Sequence, residues 1–121
     1  MFDLDHFKKV NDLFGHGQGD VALTEIATLV RGRLRQSDIF VRWGGEEFMI
    51  LAPETTLAQA LALTETLQAE LGRSAVAGMG AITASFGVTE YRTDETLDQW
   101  LKRVDDLVYQ TKRKGRNLIS Y

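Results

Sequence analysis

Apolar positions in this chain follow two periods. Leu23, Ile26, Ala27, Val30 and Leu34 recur at spacings of three and four, which puts them on one face of a core-facing helix. A shorter helix over Phe7 to Phe14 precedes it and stops at Gly15, with Gly15-His16-Gly17-Gln18-Gly19 predicted as the loop between the two. Period two takes over elsewhere. Phe2 and Leu4 alternate with Asp3 and Asp5 in an opening strand, so the apolar pair faces a core and the two carboxylates share the other side. The stretch Ile39 to Leu51 holds two apolar, β-prone runs flanking Gly44-Gly45, a hairpin in which glycines supply the positive φ angles of a primed turn. Thr56 with Gln59 and Thr96 with Gln99 form capping boxes that open two further helices. The first stops near Gly72; the second buries Leu97, Leu101, Val104 and Val108 and stops at Gly115. Ala81 to Tyr91 reads as a strand between them and Asn117 to Tyr121 as a short terminal one. The order is strand, helices, two hairpin strands, helix, strand, helix, short strand: an α/β (α+β sandwich) chain with an antiparallel-containing sheet.

The chemistry concentrates beside the hairpin. Glu46 and Glu47 follow the glycines at once, and the bare backbone of Gly44 and Gly45 leaves room for a ligand to approach. Charges that merely keep a hairpin tip soluble are the competing reading. Asp3 and Asp5 form a second acidic cluster, and carboxylates gathered on one side repel unless a cation or donor lies between them. If hairpin and first strand are neighbours in one sheet, Asp3 and Glu46 meet at one end and suit magnesium, a hard ion that takes oxygen ligands. Asp5 reads mainly as the N-cap of a helix beginning at His6 or Phe7.

Length and charge narrow the field. At 121 residues the chain makes one domain with a single core. With 14 basic against 17 acidic residues and a net charge of −3, it lacks the positive surface of a nucleic-acid binder, although a local cluster can still grip a nucleotide phosphate. The absence of cysteine excludes a disulfide framework and a thiolate metal site. No stretch is long and apolar enough to span a membrane and no signal-peptide pattern is present, so the expectation is a cytoplasmic segment without membrane contact.

Short words distributed along nearly the whole chain carry a family resemblance: Asp3-Leu4-Asp5-His6-Phe7-Lys8, Asn11-Asp12, Phe14-Gly15-His16, Gly19-Asp20, Arg35-Gln36-Ser37-Asp38, Arg42-Trp43-Gly44-Gly45-Glu46-Glu47-Phe48, Ser85-Phe86-Gly87-Val88, Tyr109-Gln110-Thr111-Lys112 and Gly115-Arg116-Asn117. In this order and spacing they resemble the GGDEF domain, the catalytic domain of diguanylate cyclases, in its Gly-Gly-Glu-Glu-Phe variant. The resemblance implies a ferredoxin-like palm and the condensation of two GTP molecules into cyclic di-GMP across two facing copies, a homodimer. It assigns Asp3, Glu46 and the Leu4 carbonyl to Mg2+ (or Mn2+), and places Glu47 near the reacting hydroxyl. Asn11 and Asp20 are to read guanine, although a helix-end amide that satisfies backbone groups and a second-helix N-cap are the plainer readings of the two. The triphosphate is expected at the start of the first helix, around His6, Phe7 and Lys8, with Lys112 and Arg116 as further phosphate contacts and His16 lining the pocket. Arg35 and Asp38 match the family's inhibitory product site, which binds cyclic di-GMP.

The chain also departs from the family. The helical D-x-L-T-x-L-x-N-R-R signature and the apolar first half of the opening strand are not seen ahead of Asp3, so the resemblance implies an N-terminally trimmed domain, without the sensory or receiver module the family uses, that still binds guanine nucleotides but turns over slowly or not at all. Two other readings remain beside the cyclase: a binding module for GTP or cyclic di-GMP, and a palm-fold transferase acting on another nucleotide.

Overall fold

Phe2, Phe40, Phe48 and Phe86 form a row of aromatic rings on one face of the sheet. Ring centroids are 5.1 Å apart for Phe2 and Phe48, 5.2 Å for Phe2 and Phe86, and 5.6 Å for Phe40 and Phe48. The computed structural model describes residues 1–121, and these four residues come from four adjacent strands: β1 (Phe2–Leu4), β2 (Ile39–Arg42), β3 (Glu47–Leu51) and β4 (Ala84–Gly87). Strand order is β2-β3-β1-β4-β5, with β5 (Ile119–Ser120) parallel to β4 and every other pair antiparallel.

Four helices cover the sheet: α1 (Phe7–Phe14), α2 (His16–Arg31), α3 (Leu57–Arg73) and α4 (Leu97–Lys114). Ala22, Leu23, Ile26 and Val30 of α2 join Leu67 and Leu71 of α3 and Phe2, Phe48 and Phe86 in one buried cluster, against which the half-buried Phe40 packs. Burying such a cluster is the dominant favourable term in folding. Because β4 and β5 are parallel, α4 has to cross over between them, and it lies on the other face of β4. Gly87 makes that approach possible, since a Cβ there would lie 2.7 Å from the Val104 carbonyl oxygen and 3.0 Å from Leu107 Cβ. Thr111 fastens the helix end by donating to the Phe86 carbonyl, 3.0 Å, beside Ser120 Oγ at 2.7 Å. No helix is long and apolar enough to cross a membrane.

The capping boxes form as expected. Gln59 N–H donates to Thr56 Oγ1 at 3.3 Å and Thr56 N–H to Gln59 Oε1 at 3.0 Å, and Thr96 and Gln99 repeat the pair at 3.2 and 2.8 Å. Five local expectations are corrected. Residues 16–19 belong to α2 rather than to a loop, because Gly15 at φ +85° turns the chain alone and Gly19 N–H already donates to the Gly15 carbonyl. Asp20 therefore lies inside α2 and is not its cap. The N-cap of α1 is His6 at φ +56°, without a side-chain cap bond, and Asp5 turns inward instead. The strand expected over 81–91 extends only through Ala84–Gly87, because β1 and β5 are themselves short and offer partners over few residues. Leu97, expected in the core, is 62% exposed at the first position of α4.

Candidate active site

The end of the sheet at Asp3 gathers the acidic residues. Asp3 sits opposite Glu47 in the β1–β3 register, and Leu4 N–H donates to the Glu46 carbonyl at 3.1 Å, so both glutamates flank the strand that carries Asp3. Asp3 is 4% exposed and its Oδ2 lies 2.7 Å from Lys112 Nζ on α4. Burial raises the Asp3 pKa above the ordinary carboxylate value, with Lys112 acting against that rise. Glu47 is raised too, by burial first and then by the negative charges of Asp3 and Asp105. Asp3, Glu46 and the Leu4 carbonyl offer an all-oxygen donor set without sulfur, which suits a hard divalent cation. His, Asp and Glu side chains do not converge here as a group of three, so the backbone oxygen and added ligands would have to complete the coordination shell.

These raised pKa values make a stability prediction whose sign is fixed. The folded state holds the Asp3 proton more tightly than the unfolded chain, so stability falls as pH rises from the unfolded value through the folded one. At neutral pH the ionised carboxylate is a cost. Asp3→Asn removes this pH-dependent cost, so its melting temperature relative to the parent is expected to rise from pH 4 to pH 7.5 in chelator; thermal melts across that range check it, and a relative melting temperature that falls over the same range refutes it.

The hairpin tip is built differently from a primed turn. Trp43 N–H donates to the Glu47 carbonyl at 2.8 Å, closing the loop around Gly44, Gly45 and Glu46, and neither glycine has a positive φ. At Gly44 a Cβ would lie 2.7 Å from Glu47 Oε2, so a side chain there would push the glutamate carboxylate aside. Arg42 Nε donates to the Gly44 carbonyl at 3.1 Å and to the Gly45 carbonyl at 2.9 Å, with Nη2 on the latter at 2.7 Å. Sequence reasoning missed this arginine; the signal was a guanidinium two residues before bare backbone carbonyls.

Across the site, α2 runs close against α1 at Gly19. A Cβ at Gly19 would lie 1.9 Å from Asn11 Oδ1 and 3.5 Å from the Phe7 ring, so the half-buried Asn11 amide occupies the space that the glycine leaves. Asp20 follows directly and is exposed, as are Lys8 and His16, while Phe7 is buried beneath. Gly19→Ala is a sharp probe. Alanine gains up to ~1 kcal/mol of helix propensity but forces the Asn11 amide aside, so we expect nearly unchanged stability with guanine-nucleotide affinity lowered about tenfold (~1.4 kcal/mol). Calorimetric titration with GTP beside a thermal melt reads both; unchanged affinity removes Asn11 from the site.

At the far side, Lys112 leads to a left-handed turn in which Gly115, Arg116 and Asn117 have φ of +126°, +62° and +47°. Arg116 is exposed and close enough to Asp3 for its charge to pull that carboxyl's pKa down. Arg35 and Asp38 lie apart from this site, at the other end of β2 from the Gly-Gly turn. They bind each other: Arg35 Nη2 reaches Asp38 Oδ1 and the Pro53 carbonyl, both at 3.2 Å, and Arg35 N–H donates to Asp38 Oδ2 at 2.7 Å.

Comparison with known proteins gives a consistent result. The family model described as diguanylate cyclase, GGDEF domain, matches residues 1–118. Diguanylate cyclase DgcM of Escherichia coli K12 is 40% identical over 119 residues, which are 98% of this chain and 29% of that protein; the chain thus spans under a third of that relative's length. Among solved structures, diguanylate cyclase SiaD of Pseudomonas aeruginosa, in complex with its activator SiaC, superposes with a TM-score of 0.89 at 40% identity, covering 98% of this chain and 48% of that one. The GGDEF domain of DgcB from Caulobacter crescentus, in complex with c-di-GMP, gives a TM-score of 0.87 at 29% identity, covering 98% and 73%. With its hairpin, its acidic strand end and nearly its full length matched, the chain belongs to the GGDEF family of diguanylate cyclase domains.

Proposed function

We propose that this chain is a diguanylate cyclase domain that condenses two GTP molecules, one held by each of two facing copies, into cyclic di-GMP and two pyrophosphates. The observation that carries this reading is the buried Asp3, level with Glu47, beside Glu46, and held by Lys112. In each half-reaction the ribose 3′-oxygen of one GTP forms a bond to the α-phosphorus of the other, the bond to the pyrophosphate oxygen breaks, and the hydroxyl proton leaves. Asp3, Glu46 and the Leu4 carbonyl would hold the divalent cation, Mg2+ or Mn2+, which supplies neutralisation of phosphate charge and a more acidic attacking hydroxyl.

The remaining residues have separable roles. Glu47, whose pKa stands above the ordinary value, accepts the hydroxyl proton or orients it. Lys112, which pairs with Asp3 here, would offer its ammonium to a phosphate oxygen, and Arg116 and Lys8 would add positive charge along the triphosphate. The α1 N-terminus lacks a side-chain cap, so its free N–H groups at His6, Phe7 and Lys8 receive the outer phosphates. Asn11 and Asp20 read the guanine edge. Arg35 and Asp38 bind the product at a second site, where cyclic di-GMP has to displace their mutual contact.

One copy holds one set of these groups, so the rate is expected to rise faster than linearly with protein concentration. Incubation with magnesium and GTP, followed by chromatographic identification of products, tests the proposal. Cyclic di-GMP supports it; tight GTP binding without turnover would make the chain a binding module, and a different product would place it among other palm-fold transferases.

A further inference from the structure

Asp5 has no part in the chemistry above, yet it is among the most interconnected side chains of the molecule. It is 6% exposed, and its oxygens accept from Ser85 Oγ at 2.6 Å, Thr83 Oγ1 at 2.7 Å and the Asn117 backbone N–H at 2.9 Å. The first two tie it to β4 and the segment entering it. The third reaches across 112 positions of sequence to the turn between α4 and β5.

That turn is one the chain does not adopt unaided. Gly115, Arg116 and Asn117 are consecutive residues with positive φ, and two of them carry side chains. A run of this kind persists only where surrounding contacts over-determine it. The contacts here are Arg116 N–H to the Thr111 carbonyl at 3.2 Å, Gln68 Nε2 to the Asn117 carbonyl at 2.6 Å, and Asn117 N–H to Asp5. Of the three, only the last connects the turn to β1, which carries Asp3 and leads on to Asp5.

We propose that Asp5 is a positioning residue that locks the Arg116 turn to the strand of Asp3, keeping a phosphate-binding guanidinium and a cation-binding carboxylate in fixed register. The inference rests on the function proposed above in taking Arg116 as a phosphate ligand and Asp3 as a cation ligand. Asp5 serving merely to satisfy the hydroxyls of Thr83 and Ser85 is the alternative, and it leaves the turn unaffected.

The test is Asp5→Asn, whose amide offers one acceptor oxygen and so cannot serve all three donors. Titration with magnesium GTP is expected to show about tenfold weaker binding for D5N and for R116A, with the double variant no weaker than R116A alone. Affinity for guanosine, which has no phosphate, stays at the parent value. Two-dimensional amide NMR shows the Arg116 and Asn117 resonances moving in D5N. Equal loss of GTP and guanosine affinity, full additivity of the two substitutions, or unmoved Arg116 and Asn117 amides overturns the proposal. If D5N does not fold, Gln68→Ala loosens the same turn from outside the sheet and is expected to weaken GTP about threefold with guanosine unchanged; an unchanged GTP affinity rejects the idea. If the parent protein binds no GTP, the cyclase assignment falls, and the amide spectra of D5N alone decide whether Asp5 holds the turn.

Discussion

Glu46→Gln will lose about a hundred- to a thousandfold in cyclic di-GMP formation, the scale seen when a group stabilising transition-state charge is removed. The substitution is isosteric. Glu46 is half-buried, and the bond that anchors it to β1 runs from Leu4 N–H to its backbone carbonyl, which glutamine keeps. The melting temperature is therefore expected to change by no more than about 2 °C, corresponding to roughly 0.5 kcal/mol. Product formation over a magnesium titration, with a thermal melt as control, measures both. Retained activity would show that the cation is held elsewhere.

Gly87→Ala will be the most damaging single methyl group in the fold. The added carbon meets the Val104 carbonyl at 2.7 Å and Val108 Cγ2 at 3.0 Å, and neither is the free end of a long side chain. Helix α4 must back away from β4. Overpacking of this kind costs about 2–3 kcal/mol, or roughly 10 °C in melting temperature for a chain of this size. Since α4 carries Lys112 to Asp3, activity should fall with stability, and a variant melting within 2 °C of the parent would mean that α4 is not seated as described.

The helix starts at Thr56 and Thr96 were legible because a capping box is written in residues three apart and needs no tertiary partner. The hairpin and the pleated alternation of Phe2 and Leu4 were legible for the same reason. Errors arose where distant chain decides the outcome. Strand β4 is short because its neighbours are short, and Asp5 turned from a cap into a buried acceptor because Thr83, Ser85 and Asn117 present donors from far along the sequence. Within the site, residue types were readable but their pairings were not. Lys112 on Asp3 depends on how α4 lies against the sheet and the Asn11 amide over Gly19 on how α1 meets α2, whereas Arg35 and Asp38, three residues apart, pair locally as such residues at a helix end commonly do. The resemblance supplied roles for these side chains and could not supply their contacts.

Arg42 gives the hairpin one further property. Its guanidinium fastens both loop carbonyls, so under the proposed function the apex would meet an arriving nucleotide with its backbone already held. Little conformational freedom is left to surrender on seating, and the entropy penalty of capture there is small. Under the proposed function, nucleotide encounter would then be set by diffusion and long-range charge rather than by loop closure, and its speed would respond to ionic strength.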